Sequence, residues 1–104
     1  MIYEMRTYRL RVGAVAAYLK LVLEEGITVQ TSHLGQLVGY FFTEIGPLNE
    51  IVHIWAYADL NDRAARRAKL AADPRWQEFL PRLQALIETM ESKILVPSAF
   101  SPLQ

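Results

Sequence analysis

Apolar and polar positions along this chain change period several times, and each change marks an element. Ile2 to Leu10 is rich in β-forming residues and predicts a first strand, closed by a Val12-Gly13 turn. Its two faces are Tyr3, Met5, Thr7 and Arg9 against Ile2, Glu4, Arg6, Tyr8 and Leu10. From Ala14 to about Thr31 the apolar spacing becomes helical, through Val15, Tyr18, Leu19, Val22 and Leu23. Gly26 costs roughly 1 kcal/mol against Ala inside a helix, so it marks a bend or a close contact. Gly35 suits the residue just past the helix end. Gln36 to Ile45, with Tyr40, Phe41 and Phe42, predicts a second strand with aromatic bulk on both faces. Gly46-Pro47-Leu48-Asn49 has turn residues between two strand patterns and predicts a hairpin, with Asn49 serving that turn's backbone.

Asn49 to Tyr57 predicts the third strand. One face, Glu50, Val52, Ile54 and Ala56, is small and apolar beyond its first member. The other, Ile51, His53, Trp55 and Tyr57, is large and carries polar handles. A half-wet strand would alternate apolar with charged residues, so both faces of this one should be covered. Asp59 or Asn61 can cap a helix running to Ala72, and Asp73-Pro74 is a fresh helix start. Trp76, Phe79, Leu80, Leu83, Ile87 and Met90 continue at helical spacing, with Pro81 expected to kink or split that helix. Lys93 to Phe100 predicts a last short strand, which Pro97 confines to a sheet edge or ends.

The resulting order is strand, helix, strand, strand, helix, strand. It predicts a ferredoxin-like βαββαβ fold in the α+β class, a single domain over residues 1–104. Its four-stranded antiparallel sheet carries helices on one face, and the first and third strands are central. The other face should then expose Trp55, Tyr57 and part of the second strand's aromatics. Each covered aromatic buries about 150–250 Å², and three exceed the roughly 300–600 Å² patch of a soluble monomer. Hiding about 500 Å² at about 25 cal/mol per Å² is worth on the order of 12 kcal/mol gross. Pairing of two sheets about a twofold axis is the expectation, giving an obligate homodimer through the sheet face.

Composition narrows the chemistry. Eleven Lys and Arg balance eleven Asp and Glu, which gives no electrostatic case for nucleic acid or an anionic membrane. The absence of cysteine excludes a disulfide framework, a thiolate zinc site and a cysteine nucleophile. The apolar run Val12 to Leu23 contains Lys20 and is too short to span a bilayer. No signal peptide precedes the first strand, so a cytoplasmic protein is expected. With two histidines, no metal site is expected, and no haem-attachment pattern supports His33 or His53 as an axial ligand. No cofactor is expected.

Several pieces together resemble the NIPSNAP family. They are Tyr3-Glu4-Met5-Arg6-Thr7-Tyr8, Leu37-Val38-Gly39-Tyr40-Phe41, Gly46-Pro47-Leu48-Asn49, His53-Ile54-Trp55 and Asp73-Pro74-Arg75-Trp76. The tail Pro97-Ser98-Ala99-Phe100-Ser101-Pro102-Leu103 belongs with them. The resemblance implies a dimeric α+β barrel, in which two ferredoxin-like sheets pack face to face. Related barrels include cofactor-free monooxygenases, muconolactone-type isomerases, haem-degrading oxygenases and chlorite dismutases. Longer eukaryotic members are associated with mitochondria and vesicle traffic as interaction proteins.

Glu4, Arg6 and Tyr8 share one face of a central strand, as do His53, Trp55 and Tyr57 on its neighbour. If both sets face the barrel interior, with Tyr40 beside them, they line a cavity for an anionic or carbonyl-bearing molecule. Arg6 would hold charge, and His53 or Glu4 would move a proton. The competing account makes Glu4 and Arg6 a buried ion pair that fixes register, and His53 a satisfied core residue. His33 is expected at helix-terminal carbonyls. Arg63, Arg66, Arg67 and Lys69 read as a solvated helix face, and Trp76 as core. The functional expectation is a small, partly apolar ligand, with a cofactor-independent oxygenase or isomerase in prospect. The alternative is a non-catalytic scaffold with a filled barrel.

Overall fold

The computed structural model describes Met1–Gln104. Strand β1 (Ile2–Leu10) leads to helix α1 (Val15–Leu21), which passes through a π-helical turn (Val22–Gly26) into α2 (Ile27–Leu34). Strands β2 (Gln36–Phe42) and β3 (Glu50–Tyr57) form the hairpin, then come α3 (Leu60–Ala72), α4 (Pro74–Gln84) and β4 (Ile87–Leu95). The sheet order is β2-β3-β1-β4, with every neighbouring pair antiparallel. This is the ferredoxin-like arrangement, with β1 and β3 central. The molecule measures 39 × 36 × 20 Å. Its thinnest dimension holds one sheet and one helix layer at about 10 Å each, so one sheet face has no helix layer over it.

Local chemistry accounts for the helix starts. Asp59 accepts a hydrogen bond from the Asp62 amide at 2.7 Å, and Asp62 accepts one from the Ala58 amide. Asp73 caps α4 through the Arg75 amide at 2.8 Å, with Pro74 in the first turn. Gly35, at φ 83°, ends α2 in the left-handed region that a Cβ disfavours. Gly26 closes the π-helical turn, and a Cβ there would stand 2.5 Å from Cζ of Phe79. It is therefore both an irregularity and a close approach of α4.

The register decides the faces. Ile2, Glu4, Arg6 and Tyr8 lie opposite Tyr57, Trp55, His53 and Ile51, all on the side under the helices. Ile51, His53, Trp55 and Tyr57 are each at most 1 % exposed. This corrects the expectation that Trp55 and Tyr57 occupy the bare face. The helices bring Tyr18, Leu70, Phe79 and Leu83 to the sheet, and these fill the core only against large partners. The uncovered face carries Met5 beside Ile54, Thr7 beside Val52 and Phe41 at the far strand, with the charged Lys93 and Glu91 on β4 and Arg9 opposite Glu50. Beyond β4 the tail lies along this face, where Tyr3 donates to the carbonyl of Gln104 at 2.9 Å. Val96, Pro97 and Leu103 enclose an apolar cavity of about 180 Å³ against Tyr3, Val38 and Ile54.

Other boundaries differ from expectation. The first helical segment reaches Leu34, β2 stops at Phe42, and β4 starts at Ile87. Ile87 and Met90 thus belong to a strand, although their spacing continues the α4 stripe; the Ala85–Leu86 turn breaks the helix without a Gly or Pro to announce it. Pro81 sits inside α4 without splitting it. Asn49, at φ 63°, serves a different turn from the one expected: its side chain accepts from the Gly13 amide at 2.9 Å. His33 meets Asp73 Oδ2 at 2.8 Å instead of a terminal carbonyl.

Gly26→Val should lower stability by about 2 kcal/mol, because Phe79 is too buried to yield space to a branched side chain. Urea denaturation checks this. A Phe79→Leu exchange in the same background should make the Val cheaper, and strict additivity of the two changes would refute the close approach.

Candidate functional site

Glu4 sits in the middle of the sheet, 0 % exposed, flanked by Trp55 on β3 and Ile94 on β4. A buried carboxylate needs donors, and three elements supply them. Arg6, two residues along β1 on the same face, donates from Nη1 to Oε2 at 3.0 Å. Arg63 reaches the same oxygen from α3 at 2.8 Å, and Ser92 from β4 at 2.6 Å. Arg67, one helical turn beyond Arg63, stands 4.0 Å from Oε1. Burial alone would raise the Glu4 pKa. The Arg63 and Ser92 hydrogen bonds, with the Arg6 charge, outweigh burial and hold it at about 2. Glu4 is a permanent anion at neutral pH.

His53 lies opposite Arg6 on β3 and is sealed on all sides. Tyr40 stacks on it at 4.5 Å between ring centroids, and Tyr8 meets it edge-on at 4.9 Å. The Trp55 indole N–H donates to His53 Nδ1 at 2.7 Å. Indole can only donate, so Nδ1 carries no proton and the neutral ring holds its proton on Nε2. Burial, and then the Arg6 charge, push the His53 pKa down to about 3. A bulge at Val38 brings Tyr40 beside it: Leu37 faces Trp55 and Tyr40 faces His53, three residues apart instead of two. Tyr40 also shares a 2.7 Å hydrogen bond with Tyr18, and burial raises the pKa of both phenols. The Tyr57 hydroxyl is buried and has no hydrogen-bond partner.

Beside this cluster, between the sheet and the helices, is a cavity of about 130 Å³. Its polar wall holds Arg6, Tyr8, Gln30 and Arg67, and its apolar wall Leu70, Trp76 and Leu80. Gln84 and Met90, both exposed, form the rim. Tyr8 accepts from Arg6 Nε at 2.8 Å, which leaves its own hydroxyl proton free to donate. Of the residues singled out from sequence, Arg6 and Tyr8 line this cavity. Glu4 stands behind them, while Tyr40, His53, Trp55 and Tyr57 lie outside the cavity lining in the packed layer.

Four contributors escaped the sequence reading: Arg63, Arg67, Gln30 and Ser92. The composition of α3 predicts a solvated face for Arg63 and Arg67, and the structure turns both toward Glu4. Their i, i+4 spacing, set against an acid in the middle of an apolar strand, was the available signal. Gln30 and Ser92 gave none, since one lies on a mixed helix face and the other in a strand read as starting later. No cluster of three or more His, Asp or Glu side chains has the arrangement of a metal site. No helix is long and apolar enough to cross a membrane.

The NIPSNAP family model matches residues 3–102. Human NipSnap homolog 2 is 36% identical over 103 residues, which take in 99% of this chain and 35% of that protein. The chain spans about two-fifths or less of the length of the curated relatives it matches. A NIPSNAP family protein of unknown function from Agrobacterium tumefaciens superposes with a TM-score of 0.98 at 65% identity, over 100% of this chain and 94% of that one. An antibiotic biosynthesis monooxygenase superposes with a TM-score of 0.66 at 16% identity, over 94% and 99% of the two chains. That second likeness is one of fold.

Two pH effects follow from the site. Glu4 has a folded-state pKa below its ordinary 4.5. Its stabilisation is therefore complete above about pH 4.5 and is lost as pH falls toward 2. Against Glu4→Gln, the wild type should lose on the order of 2–3 kcal/mol across that window, read from urea midpoints. Parallel stability curves would contradict the ion cluster. His53 should remain neutral at pH 5, with its proton on Nε2 in nitrogen-detected NMR. A doubly protonated ring at that pH would contradict its sealed placement.

Proposed function

The chain belongs to the NIPSNAP family, and on that footing we propose that it works as a homodimeric α+β barrel protein that binds a small, partly apolar molecule between sheet and helices. The observation that carries this reading is the cavity in which Arg6 and Arg67 converge beside Tyr8, opposite Leu70, Trp76 and Leu80. Charge on one wall and hydrocarbon on the other is the composition of a ligand site. Arg6 already serves Glu4 and Tyr8, while Arg67 stands beyond hydrogen-bond distance of Glu4 and adds a second guanidinium to the same wall.

The same geometry sets the chemistry. Glu4 is ionised and engaged by three donors, so it is a weak base at neutral pH. His53 has one nitrogen occupied by Trp55 and does not line the cavity; Tyr8, packed edge-on against it, does. The cavity thus offers positive charge, a phenol and an amide: groups that hold and orient. Cofactor-independent oxygenation or isomerisation is compatible with this if the bound molecule itself supplies the reactive carbanion or enolate, with Arg6 and Arg67 stabilising the charge that develops. The fold shared with an antibiotic biosynthesis monooxygenase fits that version. The sealed His53 layer favours the second reading, a scaffold in which these residues are architecture.

The dimer rests on the uncovered face. Val38, Phe41 and Leu95 are 37%, 55% and 39% exposed there, alongside Met5, Val52 and Ile54. Four strands spaced about 4.8 Å apart and eight residues long at about 3.3 Å each present about 500 Å² in projection, and side-chain relief and the tail bring this near the roughly 800 Å² per partner of a stable interface. Sedimentation should give a dimer at micromolar concentration, and Ile54→Glu should shift it to a folded monomer. A folded wild-type monomer at that concentration overturns the barrel. Native mass spectrometry of protein from its own host should show a retained small molecule that Arg6→Gln releases. An unliganded wild type, with Arg6→Gln altering stability alone, would favour the scaffold.

A further inference from the structure

Resting on the reading that the sheet–helix cavity holds a ligand, we infer that its ligand is a small organic carboxylate, gripped by Arg6, Arg67 and Gln30 with its hydrocarbon part against Leu70, Trp76 and Leu80. The first argument is a count of charge. Arg6, Arg63 and Arg67 surround Glu4, and Glu4 is the acidic partner of all three ion contacts. One carboxylate against three guanidiniums leaves two positive charges over, in a place where Arg6 is 13% and Arg67 32% exposed in the side chain. Like charges held this close repel, and an anion between them removes the repulsion. Arg67 Nη1, at 4.0 Å from Glu4 Oε1, is beyond hydrogen-bond distance of that carboxylate, and Arg67 lines the cavity with Arg6.

The second argument is an unspent amide. Gln30 is 7% exposed and lines the same cavity, yet its side chain appears in no hydrogen bond. Its amide atoms are not among the fully buried unpaired ones, so they keep some accessible surface beside the cavity that they line. Gln30 can donate to a carboxylate oxygen, and the free proton of Tyr8 can do the same.

Size and lining choose among anions. About 130 Å³ corresponds to about four waters at about 30 Å³ each, so the ligand is small. Phosphate or sulfate spreads charge over oxygens on every side and would press some of them against Leu70, Trp76 and Leu80 without donors. A carboxylate gathers its charge at one planar end, which suits the guanidinium fork, and leaves the other end apolar.

The test titrates the full-length protein with butyrate, its neutral counterpart butyramide, and inorganic phosphate, by calorimetry at constant ionic strength. Butyrate should bind saturably, and butyramide and phosphate each at least about tenfold more weakly, the factor that charge-assisted hydrogen bonds confer. Arg67→Gln should weaken butyrate by about tenfold while leaving butyramide nearly unchanged, and Gln30→Leu should weaken both. Leu80→Trp, which fills the apolar wall, should abolish both. Butyramide binding as well as butyrate would overturn the carboxylate assignment and leave the cavity reading standing, and phosphate binding as well as butyrate would do the same. No binding of any probe, with Leu80→Trp as stable as the wild type, would overturn both.

Discussion

An ionised carboxylate at the centre of a sheet constrains everything packed around it. Stripping water from Glu4 costs several kcal/mol, and the chain recovers that cost only if donors arrive from every side. They come from β1, β4 and α3, so one side chain joins both central and edge strands to the helix layer. The helix cannot slide along the sheet without withdrawing Arg63 from Oε2, and β4 cannot slip by two residues without removing Ser92. The cluster therefore fixes register and helix position together. Its stoichiometry also leaves positive charge in excess, on the side where α2 and α4 stand away from the sheet. Arg6 belongs both to the cluster that fixes the architecture and to the cavity wall.

Around His53 the constraint is different. An imidazole at the core stays neutral when the surroundings refuse a proton, and here burial and the neighbouring arginine both do so. Trp55 fixes which nitrogen is bare, while Tyr8 and Tyr40 close the ring's remaining faces. A proton carrier needs a route to solvent or substrate, and this ring has aromatic walls where the route would run. The packing satisfies Nδ1 and leaves Nε2 buried without a hydrogen-bond partner.

The order of elements was legible because the signals are local. Asp59, Asp73-Pro74 and Gly35 mark helix ends through hydrogen bonds made within a few residues, and they stand where sequence placed them. The start of β4 was illegible because Leu83, Ile87 and Met90 keep helical spacing across a helix-to-strand change, and no turn residue intervenes. The two faces of β3 could be separated by size, but which one meets the helices depends on the volume the helices leave. That is a property of the assembled core, so Trp55 and Tyr57 were assigned to the wrong side. At the site, Arg6 and Tyr8 were visible as neighbours of Glu4 along one strand. Arg63 and Arg67 were not, because on a short polar helix their charges look satisfied by water until the sheet is known to hold an acid beneath them.

One further consequence concerns the sheet itself. Its helix side carries the charged cavity, and its other side carries the proposed dimer contact, so the two are separated by a single layer of backbone. Arg6 and His53 project toward the helices, while Met5, Val52 and Ile54, adjacent along the same two strands, project from the opposite face. Changing the twist of β1 or β3 moves both sets at once, since alternate residues share one backbone. An anion that draws Arg6 and Arg67 together would pull α3 against β1 and alter the surface offered to the partner. Linkage then requires the reverse as well: a partner that flattens or steadies the sheet changes affinity for the anion by the same factor. If the proposed ligand binds the proposed dimer and the monomer with different affinity, dimer dissociation measured with and without butyrate should differ by the factor that separates the two affinities.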